Sequence, residues 1–173
     1  MSLSTDQPQG KGCRFNDCLD ILREQPMFNG VPLDVIKVLA YLSGRESFVA
    51  GEALFEQGEP LDRCFFLLCG QVEMTREVGD CTVTLPRRAE GSFFGGLGLL
   101  AHTKALYGAQ AVTDVECLVL SKEKFLKTAE RFPDIWSKIL SNVVDHVFRW
   151  EEAFLNVHAE ECAKTGDMGL SLF

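Results

Sequence analysis

The sequence has few of the features that mark nucleic-acid-binding, secreted or membrane proteins. Its 173 residues include 17 Lys and Arg against 25 Asp and Glu, a formal net charge of −8. The longest basic cluster is Arg87-Arg88, so we expect no direct binding of nucleic acid, whose phosphates a basic surface must neutralise. The first residues, Met1–Asp6, lack a charged-then-apolar leader, and no run approaches the roughly 18 apolar residues of a membrane span. We therefore expect a cytoplasmic protein without membrane association.

The seven cysteines do not form the pattern of a disulfide scaffold. Their number is odd, they are dispersed, and a chain of this length can bury a core without cross-links. We therefore expect reduced thiols. Cys13 and Cys18 lie close together in the sequence, but an iron–sulfur cluster needs four thiolates. No cluster is expected, and a redox role for this pair stays open.

Signatures of catalysis and of haem binding are also sparse. The sequence contains no P-loop, GxSxG, HExxH or CxxC motif, so we expect no enzyme. His146 and His102 are the candidates for an axial haem ligand. A histidine that packs in the protein or faces solvent is the more common case. The sequence therefore favours no haem and leaves a haem role for His146 open.

The order of helices and strands is the clearest signal that the sequence does contain. The predicted segments are a flexible tail (1–12), N-terminal helices (13–46), a β domain (47–120), C-terminal helices (121–162) and a second tail (163–173). Short apolar runs between turn residues predict the strands Phe48–Val49, Ala53–Phe55, Cys64–Leu68, Val72–Thr75, Thr82–Leu85, Gly108–Ala111 and Val115–Leu120. Seven short strands at this spacing indicate an all-β barrel or roll.

Four helices flank the predicted strands. Two short ones, Asp17–Glu24 and Pro32–Leu42, precede them, and Lys122–Glu130, capped by Ser121, follows them. The last helix, residues 133–161, carries a seam at alternating spacings of four and three: Trp136, Leu140, Val143, Val147, Trp150, Phe154 and Val157. A second stripe is Ile135, Ile139, Val144, Phe148 and Leu155.

Two interpretations account for so much apolar surface on one helix. The stripes are either one very wide core face, or one stripe packs on the β domain and the other on a partner helix. The regular four–three spacing favours the second interpretation, because it is typical of helices that pack along their length. We therefore predict a homodimer through this helix, with Val147 close to its own copy across a two-fold axis.

Two sequence motifs resemble the cyclic nucleotide-binding domains of the catabolite-activator and fumarate–nitrate regulator type. The segment Phe48–Asp62, with Gly51 and Gly58 at tight turns, resembles the opening strands of that family. The segment Gly91–Leu100, followed by Ala109–Asp114, is similar to its phosphate-binding cassette and the strand that leaves it. The resemblance implies a mainly β fold, an antiparallel β-roll of the jelly-roll type with N-terminal helices and a long C-terminal helix. It places the cassette at residues 91–106.

The polar anchors of that cassette do not match. The family's Glu, which accepts the ribose hydroxyl, aligns with Gly96, and its phosphate-binding Arg aligns with Ala105, or with Leu106 after a shift of one residue. What remains is the cassette backbone with one nearby cation: Gly95, Gly96, Leu97, Gly98 and Lys104. Lys104 could supply a point charge, although a solvated loop lysine is more common. The resemblance thus implies a cyclic nucleotide, yet a hydrophobic ligand or an empty pocket is equally compatible.

The predicted function is a non-enzymatic regulatory or sensing module. About a dozen residues follow Glu161, too few for a three-helix DNA-binding domain, so we expect the chain to signal through dimerisation or a protein partner. The alternatives are a structural dimerisation subunit without a ligand and a haem or redox sensor.

Overall fold

A computed structural model describes residues 15–165 of the chain, with side-chain surroundings for residues 18–157. The predicted tail 1–12, Cys13 and most of the predicted tail 163–173 lie outside these residues. The helices are α1 (Phe15–Glu24), α2 (Leu33–Leu42), α3 (Leu97–Leu100), α4 (Lys122–Arg131) and α5 (Ile135–Thr165), with a 3-10 turn at Pro26–Phe28. The strands are β1 (Gly44–Phe48), β2 (Ala53–Phe55), β3 (Pro60–Leu61), β4 (Arg63–Cys69), β5 (Gln71–Val78), β6 (Cys81–Ala89), β7 (Phe93–Phe94), β8 (Thr103–Lys104), β9 (Gly108–Ala111) and β10 (Val115–Ser121).

The strands form an antiparallel roll with helices at its side, which confirms the predicted fold class. One sheet has the order β1-β10-β4-β7, a second has the order β2-β9-β5-β6, and β3 pairs with β8. Three of these strands, β3, β7 and β8, are two residues long and were not predicted. Two residues are too few to show an alternating pattern, so only their pairing partners define them.

Strand β4 separates the two parts of the hydrophobic core. Its apolar run alternates sides, as a strand must. Phe66 packs with α1, α2, α4 and the start of α5, whereas Phe65 and Leu67 pack inside the roll. All three side chains are fully buried. A continuous apolar run therefore occurs here because both faces of β4 are covered.

The helices begin and end close to the predicted residues. The Ser121 hydroxyl accepts a hydrogen bond from the backbone N–H of Lys124 at 3.5 Å, so the predicted cap of α4 is present. Helix α5 is anchored by Ile135 and Ile139, which are both buried against the helical part of the core. This anchoring directs the rest of α5 past the cassette.

Gly70 forms the tight turn between β4 and β5. Its φ is +89°, and a Cβ there would lie 2.3 Å from the carbonyl oxygen of Asp114. Gly79, in the β5–β6 turn, has a φ of +59° but no atom within 4 Å of such a Cβ. We expect Gly70→Ala to lower the free energy of unfolding by more than about 2 kcal/mol and Gly79→Ala by about 1 kcal/mol, measured by urea denaturation. Equal losses would contradict a decisive role for the Asp114 contact.

Candidate functional site

The cassette is a one-turn helix that lies directly on the backbone of neighbouring strands. Gly95 links β7 to α3 with a φ of +82°, and a Cβ there would lie 2.7 Å from the Arg63 carbonyl oxygen. A Cβ on Gly98 would lie 2.3 Å from the Leu61 carbonyl oxygen. Glycine is therefore required at both positions by close backbone approach. The structure brings Gly95, Gly96, Leu97 and Gly98 together as one turn, as the cassette motif predicts.

Gly96, which aligns with the family's Glu, has no carboxylate, and neighbouring side chains crowd this position. A Cβ on Gly96 would lie 2.6 Å from the ring of Phe93 and 3.1 Å from the sulfur of Met27. Both contacts are with side chains, so the neighbours would have to move before any larger residue fitted. The 3-10 turn that carries Met27 is 69 positions away in the sequence, and no local pattern indicates this contact.

Ala105, which aligns with the family's Arg, faces the inside of the roll. Ala105 is 4% exposed and packs with the inner cluster. Its N–H donates to the carbonyl oxygen of Glu59, and its own carbonyl accepts from the N–H of Gly58, both at 2.8 Å. The neighbouring Leu106 is 63% exposed. If the family's Arg aligns with Ala105, its position faces the inside of the roll. If it aligns with Leu106, its position faces solvent.

Aromatic rings occupy the inside of the roll beside Ala105. The ring of Phe55 lies 5.5 Å from that of Phe65, 6.2 Å from that of Phe94 and 6.0 Å from that of Tyr107, centre to centre. Phe65 and Phe94 are also stacked, at 5.4 Å. These spacings are those of attractive aromatic packing. The inside of the roll beside Ala105 is therefore lined by packed aromatic rings.

Two cations lie near the cassette, and the sequence indicated only one of them as a site residue. Lys104 is on β8, exposed, and its side chain makes no ion pair or hydrogen bond with any residue that the structure describes. Arg88 on β6 is paired with Val72, whose side chain is fully buried inside the roll. Paired residues project from the same face, so Arg88 lies on the inner face of β6, although its side chain is exposed to solvent. The alternation along β6 was obscured by a register shift in this ladder.

Arg88 acts electrostatically on Tyr107. Burial raises the pKa of the Tyr107 hydroxyl, and the positive charge of Arg88 partly offsets that shift. Tyr107 is thus a neutral hydroxyl in the inner cluster, with a cation near it. This pair was not identified as a site from the sequence.

The predicted seam on α5 lies within an arc of about 100° around the helix axis, but its burial changes along the helix. Trp136 and Val143 pack against the helical core and Val147 is half-buried, whereas Leu140, Trp150 and Val157 are exposed. Phe154 is half-buried and its ring stacks on Trp150 at 5.5 Å. The sequence interpretation that one whole stripe meets the roll is therefore wrong.

The predicted second stripe is divided in the same way. Ile135 and Ile139 face the core, but Val144, Phe148 and Leu155 are exposed. The reason is helical geometry, since Ile139 and Val144 are five residues apart and lie about 140° apart around the axis. The outward face of α5 consists of Leu140, Val144, Phe148 and Leu155, and we call it the outer stripe.

The cysteines and histidines that were considered as ligands differ in their surroundings. Burial raises the pKa of the Cys64 thiol, and it raises that of Cys117 to about 12, so both thiols are protonated and unreactive. Within residues 18–157 no three His, Cys, Asp or Glu side chains are grouped as metal ligands. None of the described helices is long and apolar enough to cross a membrane. His102 and His146 are exposed.

Comparisons with known proteins agree with the geometry of the roll. The family model of the cyclic nucleotide-binding domain matches residues 45–132. The chain is 30% identical over 114 residues to the cyclic AMP receptor protein of Thermus thermophilus, covering 65% of this chain and 52% of that protein. It is 31% identical over 110 residues to a global nitrogen regulator of Nostoc sp., covering 61% and 49%. The chain thus spans about half the length of these curated relatives.

A solved structure shows the same fold. The N-terminal domain of a transcriptional regulator from Streptomyces coelicolor superimposes with a TM-score of 0.70 at 22% sequence identity, covering 78% of this chain and 96% of that one. At this identity the likeness concerns the arrangement of helices and strands alone. The superposition covers more of this chain than the family match does, so the similarity extends beyond the strands of the roll.

Proposed function

Since this chain belongs to the cyclic nucleotide-binding domain family, we propose that it is a non-enzymatic regulatory module whose roll does not bind cyclic AMP or cyclic GMP tightly. The observation that carries the proposal is the pair of anchor positions. Gly96 offers no carboxylate, and Ala105 projects a methyl group into an aromatic cluster where the family has a guanidinium. The module would therefore respond to something other than these nucleotides.

The absence of the two anchors should reduce the binding free energy of a cyclic nucleotide by a large amount. A charge-assisted hydrogen bond contributes roughly 1.5–3 kcal/mol, and two such anchors are absent. At about 1.4 kcal/mol per tenfold change in affinity, the loss is about two to four orders of magnitude. Arg88 and Lys104 do not repair it directly, because neither lies at the Ala105 position.

Isothermal titration calorimetry with cyclic AMP and cyclic GMP tests the proposal. We expect no binding tighter than roughly 0.1 mM, from the loss of both anchors. A dissociation constant in the low micromolar range would contradict it. In that case Arg88→Gln and Lys104→Gln, measured separately, would identify which cation replaces the missing guanidinium.

We further propose that the module forms a homodimer through α5. The outer stripe leaves Leu140 at 52%, Val144 at 64% and Phe148 at 65% exposure, and Leu155 adds 40% about two turns further on. An aligned apolar stripe of this kind on a surface helix is typical of an interaction face. A second copy is its simplest occupant, because a two-fold axis sets the same stripe against itself.

The thiols favour a reducing compartment for this module. Cys69 and Cys81 are exposed and carry free thiols, and Cys64 and Cys117 are buried without a disulfide. Exposed free thiols persist where glutathione and thioredoxin keep cysteine reduced. We therefore propose a cytoplasmic location.

A further inference from the structure

An apolar cavity of about 330 Å³ lies where α5 passes the cassette. Its walls come from the 3-10 turn, β7, the first residues of α3 and the middle of α5. Met27, Phe93 and Leu97 line one side, and Val143 and Val147 line the other. This volume is at the lower end of the range for small-molecule sites, about 300–1,000 Å³.

Hydrogen bonds from Asn142 hold helix α5 against the 3-10 turn. The side-chain amide of Asn142 donates to the carbonyl oxygens of Met27 and Asn29, at 3.1 and 2.9 Å. These bonds fix the distance between α5 and the turn at one end of the cavity. Gly96 contributes no side chain to the wall on the cassette side. The cavity is therefore built by directed contacts as well as by incomplete packing.

The polar groups at the wall limit what chemistry the cavity can accept. The Gln25 amide donates to the carbonyl oxygen of Ile21 at 3.1 Å, and the Asn142 donor is used as described above. His146 is the wall residue whose ring makes no hydrogen bond or ion pair with any side chain or backbone group in the described part of the chain. No Lys, Arg, Asp or Glu is among the lining residues. A charged ligand would lose its hydration there without compensation.

We propose that this cavity binds a small, uncharged, largely apolar molecule with one polar group, such as an alkylphenol or a medium-chain alcohol, which hydrogen-bonds His146. Such a ligand would contact Leu97 on the cassette and Val143 and Val147 on α5 at the same time. Binding would therefore tighten the contact between the cassette and the long helix. Among the wall residues of this site, Phe94 also belongs to the inner cluster of the roll. The existence of the site does not depend on whether a cyclic nucleotide binds inside the roll.

Calorimetry with 4-ethylphenol and 1-octanol tests the proposal, with 4-ethylbenzoate as the charged counterpart. We expect the two neutral compounds to bind with dissociation constants of roughly 0.1–1 mM, as suits ligands of about ten heavy atoms. The benzoate should bind at least about tenfold more weakly, because no fixed cation lines the wall. The absence of binding by both neutral compounds would overturn the proposal.

Two positions on α5 provide a pair of variants. Val143 lines the cavity, whereas Ala153 is exposed, lies outside the outer stripe and does not line the cavity. Val143→Phe should fill the cavity and weaken 4-ethylphenol binding at least about tenfold, and Ala153→Phe should leave it unchanged. If Val143→Phe fails to fold by circular dichroism, Leu97→Trp at the cavity edge is the replacement. Equal effects of Val143→Phe and Ala153→Phe would place binding elsewhere and overturn the proposal.

A comparison of two ligands, with and without a hydroxyl group, tests the hydrogen bond to His146. His146→Leu should weaken 4-ethylphenol about tenfold but leave ethylbenzene, which lacks the hydroxyl, unchanged. His102→Leu, at an exposed position that does not line the cavity, is the control. Loss of both compounds in His146→Leu would indicate a packing role and overturn the assigned hydrogen bond. None of these measurements uses cyclic nucleotides or the oligomeric state, so their outcome is distinct from that of the proposed function.

Discussion

Replacing Phe148 with Glu should convert a dimer of this chain into a monomer while the roll stays folded. Phe148 is 65% exposed near the centre of the outer stripe, so its side chain stabilises little within one chain. In a two-fold dimer, each copy of the substituted helix would place a carboxylate in the apolar interface that the two outer stripes form. Each large apolar side chain fully buried by association contributes roughly 1.5–3 kcal/mol, and a desolvated charge opposes association by more than that. We expect the dimer to weaken at least about a hundredfold.

Light scattering at roughly 50 µM, where a micromolar dimer is assembled, gives the result directly. The wild type should have about twice the 19.2 kDa mass of one chain and Phe148→Glu the mass of one chain. Ala153→Glu is the matched control, because Ala153 is also exposed on α5 but lies about 140° around the helix from Phe148. A wild type with the mass of a single chain would end the dimer proposal.

The sequence alone suggested a different variant for the same test. Val147 is at the centre of the four–three seam, and a Glu there would be expected to separate the two chains. In the structure Val147 is half-buried and lines the cavity beside the cassette. Val147→Glu would therefore disturb contacts within one chain as well as any contact between chains. Phe148 and Val144 are the better positions because their side chains face solvent.

The parts of the fold that the sequence predicted are those where local pattern and packing agree. The run Cys64–Leu68 was predicted as a strand and is one, and the structure shows that it is buried on both faces. The cassette turn was predicted from its resemblance to the family motif, and the structure shows that close backbone approach requires its glycines Gly95 and Gly98. The start of α4 was predicted from Ser121, whose cap acts within three residues.

The parts that were missed depend on contacts between distant segments. The division of the α5 stripes depends on which residues Ile135 and Ile139 meet in the core, and periodicity alone gives a face without saying what covers it. The face of β6 on which Arg88 lies depends on its register with Val72. The cavity depends on Asn142 reaching the 3-10 turn, more than 110 residues away in the sequence. None of these contacts has a local signal.

Introducing the family's arginine at position 105 should strongly destabilise this chain. Ala105 is buried beside Phe55, Phe94 and Tyr107 in the inner cluster. A guanidinium there would lose hydration and force the rings apart. We expect Ala105→Arg to lower the free energy of unfolding by about 3 kcal/mol or more, and Leu106→Arg, at a 63% exposed position, by less than about 0.5 kcal/mol.

Urea denaturation of the two arginine variants, with the slope of the transition checked for each, measures the difference. The comparison also tests whether the inside of the roll is packed, because the two substitutions add the same charge at adjacent residues. Equal stability of Ala105→Arg and Leu106→Arg would mean that a solvated space exists at position 105, and the aromatic cluster would then not explain weak nucleotide binding.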